Sequence, residues 1–150
     1  EGFSRIMSLK DGMKKMSKSD PSDLSRINLT DDEHQILNKI KKAKTDPLPM
    51  PSDKENLLER PEAKNLLEIY SCLVNKKLDD SINEFKGKNF SNFKEILSEI
   101  LIEKIFPISK EIKKLLDDKK YLDDILLEGS SKADEIASKK IKEIKRLVGF

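Results

Sequence analysis

The apolar residues between positions 93 and 116 constrain the fold more than any other feature of the sequence. They recur three or four positions apart over roughly six helical turns, which is typical of one face of an α-helix. Pro107 interrupts the run and predicts a kink. Residues that favour strands are scarce, because the 150-residue chain holds only two Val and two Thr. The sequence therefore predicts a mainly α fold whose helices pack as an irregular bundle. The members of the apolar stripe are Phe93, Ile96, Leu97, Ile100, Leu101, Ile105, Ile108, Ile112, Leu115 and Leu116.

Capping and proline signals divide the chain that precedes this stripe. Thr30 and Glu33 match a capping box and predict a helix over residues 31–44. Residues 45–60 contain three prolines and predict a linker. Pro61 suits the first turn of a further helix with an apolar stripe of its own.

Glycines mark the predicted helix ends in the remainder. Gly87 predicts the end of a short helix over residues 78–86. Gly129 predicts the end of another over residues 121–128 and separates it from a last helix over residues 131–149. The apolar residues of that last helix, which we expect to face inward, are Ala133, Ile136, Ala137, Ile141, Ile144 and Leu147.

The first 30 residues do not share the helical pattern. Residues 3–9 form a short apolar piece and predict a strand, while residues 10–23 are polar and predict a loop. Residues 26–29 predict a second short extended piece. This part therefore differs in fold class from the helical remainder.

Charge and composition exclude several classes of protein. Charged residues make up 39% of the chain, yet the net charge is only +2, which is no signature of a nucleic-acid binder. The longest uncharged run, residues 69–75, is far too short for a membrane helix. The single cysteine, Cys72, excludes an internal disulfide, and its apolar neighbours predict a buried thiol. The single histidine, His34, is predicted to be an exposed helix residue without a metal or catalytic role.

Residues 15–19 read KMSKS and are the strongest candidate for a functional site. Two ammonium groups, two hydroxyls and several backbone amides lie close together in this segment, and such a set suits a polyphosphate ligand. The alternative is a solvated basic loop, because charge runs in a lysine-rich chain are usually plain surface.

The motif and its surroundings resemble the tryptophanyl-tRNA synthetases of bacteria and organelles. KMSKS is the second signature of the class I aminoacyl-tRNA synthetases, and here it stands within RIMSLKDGMKKMSKSDP. The resemblance continues through SRINLTDD, KIKKAKTD and RPEAKNLLEIY, and more weakly to GSSKADEIASKKIKEIKRLVG near the C-terminus. Tyrosyl-tRNA synthetases are the nearest alternative, but the DP after the motif and the later KAKTD favour the tryptophanyl branch.

The resemblance implies a role in adenylate formation. Members of the family activate tryptophan with ATP, which carries Mg²⁺, and transfer the product to tRNA(Trp). By resemblance Lys15 and Lys18 would be catalytic, Met16 would present its backbone to the adenine with Ile6 packed on it, and Gly12 would act as a hinge. No tightly bound cofactor and no protein metal site are implied. The implied ATP-binding residues are Ile6, Lys15, Met16, Ser17, Lys18 and Ser19.

The resemblance also implies that this is the C-terminal portion of such an enzyme. The HIGH-like first signature and the tryptophan pocket are absent from the sequence, so the 150 residues alone are expected to be inactive. Residues 1–30 would be the end of a Rossmann catalytic domain, and residues 31–150 the helical domain on the anticodon side. The complete enzyme would be a cytoplasmic homodimer that does not bind a membrane.

Basic residues of the last helix are candidates for tRNA contact. Lys139, Lys142 and Arg146 recur at three or four residues and therefore share one side of a helix. They equally fit the polar face of any amphipathic helix. The rival function for the whole chain is a non-catalytic helical module that binds RNA or protein and in which KMSKS occurs by chance.

Overall fold

The computed structural model describes residues 5–149 and confirms a mainly α fold. The chain divides into two compact units, one ending at Lys110 and the other beginning at Glu111. The described elements are β1 (Met7–Ser8), β2 (Asp11–Lys15), a 3₁₀ turn (Asp23–Ser25), α1 (Glu33–Lys41), α2 (Lys54–Leu58), α3 (Pro61–Leu73), α4 (Leu78–Phe85), α5 (Phe90–Asp117) and α6 (Lys119–Val148). None of the helices within residues 5–149 is long and apolar enough to cross a membrane.

A β-hairpin stands where the sequence predicted a strand and a loop. β1 pairs with β2 in antiparallel fashion, and the register places Met7 opposite Lys15 and Ser8 opposite Asp11. The prediction of a loop from residue 10 onward was therefore wrong over β2, because the backbone of β1 offers a pairing partner that composition does not reveal. The predicted strand shrinks to two residues, and its positions 3 and 4 lie outside the described residues. No strand forms over residues 26–29.

The first long helix begins two residues later than predicted. Asp32, not Thr30, is the N-cap of α1: its carboxylate accepts from the backbone N–H of Gln35, and the Gln35 side chain accepts from the N–H of Asp32, both at 2.8 Å. The chain therefore uses a capping box shifted by two positions. Asp31 is withdrawn from the helix because its carboxylate is buried and bound to Lys39.

Helices α3, α4 and α5 meet through three aromatic rings. Tyr70 and Phe85 lie edge to face with centroids 4.8 Å apart, Phe85 and Phe93 lie at 4.7 Å, and all three residues are buried. Aromatic pairs in this geometry stabilise a core beyond the area that they bury. Pro61 at the start of α3 and Gly87 after α4, with φ of +70°, stand where the sequence predicted them.

The proline-rich segment before α3 is an ordered closed loop that contains α2. The guanidinium of Arg60 donates to both carboxylate oxygens of Asp46, at 2.9 and 2.7 Å, and to the backbone oxygen of Pro49 at 2.8 Å. Backbone bonds from Met50 to Lys88 and from Gly87 to Met50 fasten the loop to the end of α4. These contacts bring the two ends of the linker together.

The last two predicted helices are a single helix. α6 runs through Gly129, and the Ser131 hydroxyl donates to the backbone oxygen of Leu127 instead of capping a new helix. A glycine inside a helix costs only about 1 kcal/mol, which the surrounding helix formers offset. Gly149 does end α6, in the left-handed region with φ of 86°.

Two predictions of burial were wrong. The apolar stripe of α6 that was expected to face inward is exposed in this structure, and so is the Cys72 side chain. His34 is exposed as predicted.

Adjacent leucines in α2 provide a test of the core. Leu57 is 2% exposed and belongs to the core, whereas Leu58 is 78% exposed. We expect Leu57→Ala to lower the free energy of unfolding by about 2–5 kcal/mol, because it leaves a cavity. The matched control Leu58→Ala should change it by less than about 0.5 kcal/mol. Urea unfolding of the 150-residue chain measures both, and equal effects of the two substitutions would contradict the packing described for α2.

Candidate functional site

The KMSKS motif occupies the open end of the hairpin. β2 ends at Lys15, and the backbone N–H of Met16 donates to the oxygen of Ile6 at 3.1 Å, which extends the pairing into the motif. The chain then turns, with the N–H of Asp20 donating to the oxygen of Ser17 at 3.4 Å. Lys18 lies at the centre of this turn and is exposed. The motif therefore forms an exposed turn, here called the tip, at the open end of the hairpin.

The side chains of the tip differ in accessibility. The two lysines of the motif and both its serines are exposed, while Met16 is half-buried and packs against the core. The Ser17 hydroxyl accepts from the N–H of Ser19 at 3.3 Å and lies 3.1 Å from the Ser19 hydroxyl. The serines thus brace the turn, and the Lys15 and Lys18 ammonium groups remain accessible to a ligand. Ile6, the predicted neighbour of Met16, is 45% exposed.

Arg26 holds the segment that leaves the tip. Its guanidinium donates to the backbone oxygen of Asp20 at 2.9 Å and to the side-chain oxygen of Asn28 at 3.1 Å, and it pairs with Asp23 at 3.0 Å. One side chain therefore contacts both ends of the turn-rich stretch that follows the motif. Its planar array of donors suits several acceptors at once.

A buried lysine anchors this same segment to α1. Lys39 is 2% exposed, and its ammonium lies 2.6 Å from Asp31 and 2.7 Å from Asp23. Hydrogen bonds from Lys39 and Asn28 hold the pKa of Asp23 below its ordinary value. Sequence reasoning missed this cluster. The available signal was the position of Lys39 beside Ile40 and three residues after Ile36, on the buried face of α1.

An asparagine of α3 holds the strand that leads into the tip. The Asn65 side chain accepts from the backbone N–H of Met7 and donates to the backbone oxygen of Met7, both at 2.9 Å. The turn that follows β1 is also held, because Leu9 donates to the oxygen of Ser25 at 2.9 Å and accepts from the N–H of Lys44 at 2.7 Å. Sequence reasoning missed Asn65, and a lone polar residue in an apolar helical stripe was the only signal for it.

The candidate tRNA-binding residues lie in the second compact unit. Lys139, Lys142 and Arg146 belong to α6 and are exposed. Lys139 pairs with Glu135 one turn earlier, at 2.7 Å. Such exposed pairs within a helix are weak, so they leave the lysine available to a stronger anionic partner.

No group of three or more His, Cys, Asp or Glu side chains within residues 5–149 is arranged to hold a metal ion. The acidic pair at Asp23 and Asp31 is occupied by the ammonium of Lys39. The groups that the tip exposes are the ammonium groups of Lys15 and Lys18 and the hydroxyls of Ser17 and Ser19.

Comparison with known proteins places this chain in a family. The family described as tRNA synthetases class I (W and Y) matches residues 3–107. A tryptophan–tRNA ligase of Agrobacterium fabrum is 52% identical over 97% of this chain, which is 41% of that protein. One from Rickettsia felis is 51% identical over the whole chain, which is 45% of that protein.

A solved structure supports the fold. The tryptophanyl-tRNA synthetase of Campylobacter jejuni, complexed with ADP and tryptophan, superposes with a TM-score of 0.76 and 23% identity over all of this chain and 45% of its own. This chain spans about two fifths of the length of the curated relatives that it matches. On the extent of the family match and on these identities, the chain belongs to the class I tRNA synthetases for tryptophan and tyrosine, and its relatives named above are tryptophan–tRNA ligases.

Proposed function

We propose that this chain is the part of a tryptophan–tRNA ligase that carries the KMSKS loop and the helical domain on the anticodon side. One observation carries the proposal: an exposed KMSKS turn stands in a chain that is 52% identical to a tryptophan–tRNA ligase over 97% of its length. Residues 1–30 then belong to the catalytic domain of the ligase and residues 31–150 to its helical domain. The complete enzyme is a cytoplasmic homodimer that acts on ATP, tryptophan and tRNA(Trp).

The proposed reaction begins with adenylate formation. A carboxylate oxygen of tryptophan attacks the α-phosphorus of ATP, the bond from that phosphorus to the bridging oxygen breaks, and pyrophosphate leaves with the electron pair. The carboxylate is already ionised at neutral pH, so no general base is required. Catalysis then consists of positioning the reactants and stabilising charge on the departing pyrophosphate.

Lys15 and Lys18 are the groups proposed to stabilise that charge. Both side chains are exposed at the tip, and Mg²⁺ bound to ATP shares the task. Ser17 and Ser19 form the turn that displays Lys18. The adenine is proposed to lie against the backbone of Met16 and the side chain of Ile6, which the hydrogen bond between these two residues brings together. The Campylobacter jejuni relative is in complex with ADP and tryptophan, which supports an adenine nucleotide and tryptophan as the two small substrates proposed here.

Removal of one lysine tests the role of the tip. In the complete ligase, Lys18→Ala should slow adenylate formation by about 10²–10³-fold, the usual loss for one preorganised charge stabiliser. Tryptophan affinity should hardly change, because the lysine acts on the leaving group. Lys10→Ala is the matched control, since Lys10 is an exposed lysine in the turn at the other end of the hairpin. Single-turnover kinetics measure the rate of adenylate formation, and a titration measures the affinity for tryptophan. A loss of tryptophan affinity at an unchanged rate of adenylate formation would refute the role of Lys18.

The 150-residue chain alone should not catalyse tryptophan-dependent exchange of pyrophosphate into ATP. The chain supplies the phosphate-binding tip but corresponds to only 41–45% of the length of its relatives. A lone tip must also be ordered at the ligand's expense, so ATP should bind weakly. Substantial exchange by the purified chain would overturn the division of labour proposed here.

The basic face of α6 provides a test of tRNA contact. Replacing Lys139, Lys142 and Arg146 by Ala in the complete ligase should weaken tRNA(Trp) binding and reduce its salt slope by roughly 2–3, because each lost phosphate contact removes close to one unit. Adenylate formation should stay intact. The matched control removes the same charge away from this face of the helix: Lys119 and Lys140 of α6 and the exposed Lys114 of α5 to Ala. Equal effects of the two triple variants on affinity and salt slope would remove the basic face from the interface.

A further inference from the structure

The side chain of Asn65 takes the place of a neighbouring strand at the base of the KMSKS hairpin. It is 3% exposed and lies on α3, 58 residues along the chain from Met7. Its amide oxygen accepts from the Met7 N–H and its amide nitrogen donates to the Met7 oxygen, each at 2.9 Å. A carboxamide has one acceptor and one donor side, so it satisfies both backbone groups of a strand residue as a paired residue does.

The residue that Asn65 holds stands opposite the first residue of the motif. In the hairpin register Met7 pairs with Lys15. The next residue back, Ile6, accepts from the N–H of Met16. Asn65 is therefore separated from the motif by a single strand, and its hydrogen bonds fix the strand against which Lys15 and Met16 are placed.

Gly12 shows how closely the same hairpin lies on α3. A Cβ on this buried glycine would stand 2.5 Å from the backbone carbon of Pro61 and 2.6 Å from the backbone nitrogen of Glu62. Both neighbours are backbone atoms of the first turn of α3, which cannot move aside as a side chain would. The structure thus gives Gly12, expected to act as a hinge, a packing role: glycine permits the close approach.

An ion pair closes the contact between the hairpin and α3. Glu62 lies 2.7 Å from the Lys44 ammonium, and the backbone N–H of Lys44 donates to Leu9 in the hairpin turn. Lys44 first, and then the backbone amides of Glu62 and Gly12, hold the pKa of Glu62 below its ordinary value against the effect of burial. All three parts of the hairpin are therefore held to the helical part: its turn, β2 and β1. Together they form the base of the KMSKS loop.

The tip differs from this base. Among residues 5–149, the hydrogen bonds of residues 16–20 reach Ile6, Ser22 and Arg26 or stay within the tip, and none reaches α3. The base therefore fixes the strand that enters the tip, while Arg26 and Lys39 hold the segment that leaves it. We infer that Asn65 is a positioning residue for the KMSKS loop, which places Lys15 and Lys18 against the phosphates of ATP by holding β1 to α3. This inference rests on the proposed function of the motif.

The expected effect is on the rate of adenylate formation and not on tryptophan binding. A displacement of about 1 Å at a reacting group can cost on the order of 10²-fold in rate. In the complete ligase we therefore expect Asn65→Ala to slow single-turnover adenylate formation by roughly 10–100-fold, with the dissociation constant for tryptophan changed less than about twofold. A general loss of structure would weaken both.

Ser71→Ala is the matched control on the same helix. Ser71 is fully buried, and its hydroxyl bonds to the Leu67 oxygen and to the Ser81 hydroxyl, both at 2.7 Å. It therefore joins α3 to α4, and neither of these two bonds involves the hairpin. Its loss should lower stability but leave the rate of adenylate formation within about twofold, because the hydrogen bonds that hold β1 remain.

A double-mutant cycle separates positioning from an independent effect. If Asn65 acts through the tip, Asn65→Ala should cost less than about twofold in a Lys15→Ala/Lys18→Ala background, because both groups that it positions are already gone. Fully multiplicative losses, or a normal rate in Asn65→Ala, would overturn the inference while leaving the function of the motif standing. A normal rate of adenylate formation in Lys18→Ala would instead refute the proposed function.

A second variant covers the case in which Asn65→Ala does not fold, as judged by circular dichroism. Asn65→Asp then enters the same cycle with the same criteria, since it keeps the size of the side chain and the acceptor for Met7.

Discussion

The burial of α3 is the constraint on which the rest of the first compact unit depends. Leu66, Leu67 and Tyr70 are buried in the core, with Tyr70 against Phe85 of α4, while the first turns of the same helix receive the hairpin. A helix enclosed in this way cannot move against the core without disturbing the strands, because interiors are close-packed. The buried side chain of Asn65 reaches the hairpin from α3, and its hydrogen bonds remove the cost of burying the amide.

Electrostatics plays different parts in the two compact units. Lys39 is a buried cation that pairs with the buried carboxylate of Asp31 and with the exposed carboxylate of Asp23. Removing one partner of a buried pair such as that of Lys39 and Asp31 costs about 3–5 kcal/mol, because a buried charge is left uncompensated. The pairs along α6, such as that of Lys139 with Glu135, are exposed and contribute about 0.3–0.5 kcal/mol each. The first arrangement fixes the path of the chain after the motif, whereas the second supports a helix that has no buried residue.

Local signals predicted what local chemistry decides. The α fold, the helix start at Pro61, the helix end at Gly149 and the exposure of His34 follow from propensity, spacing and backbone freedom over a few residues. The β2 strand could not be predicted, because its pairing depends on β1 and on the first turn of α3 some 50 positions later in the chain. Gly129 was read as a stop because a glycine near a helix end and one inside a helix look alike in the sequence.

The residues of the candidate site also divide into those that the local sequence reveals and those that only the fold reveals. The KMSKS segment could be identified from the sequence because its ligand groups are consecutive residues. Asn65 and Lys39 could not, since the chemistry of each depends on backbone or carboxylate partners that only the fold brings near. Asn65 and Lys39 hold the chain on the two sides of the motif by different means. Asn65 makes neutral hydrogen bonds to β1 before the motif, and Lys39 makes ion pairs with the segment that follows it.

That arrangement has a consequence for how a phosphate-binding tip works. Exposed lysines are long and flexible, so an ammonium at the end of such a side chain binds a phosphate at the cost of rotamer entropy. If the backbone beneath it were also mobile, that cost would rise with every residue to be ordered on binding. Holding both stems on buried polar residues confines the freedom to the turn between Ser17 and Asp20, where the Ser17 hydroxyl already supports the backbone. The rigidity of the base is therefore what allows a short, exposed tip to direct its charge.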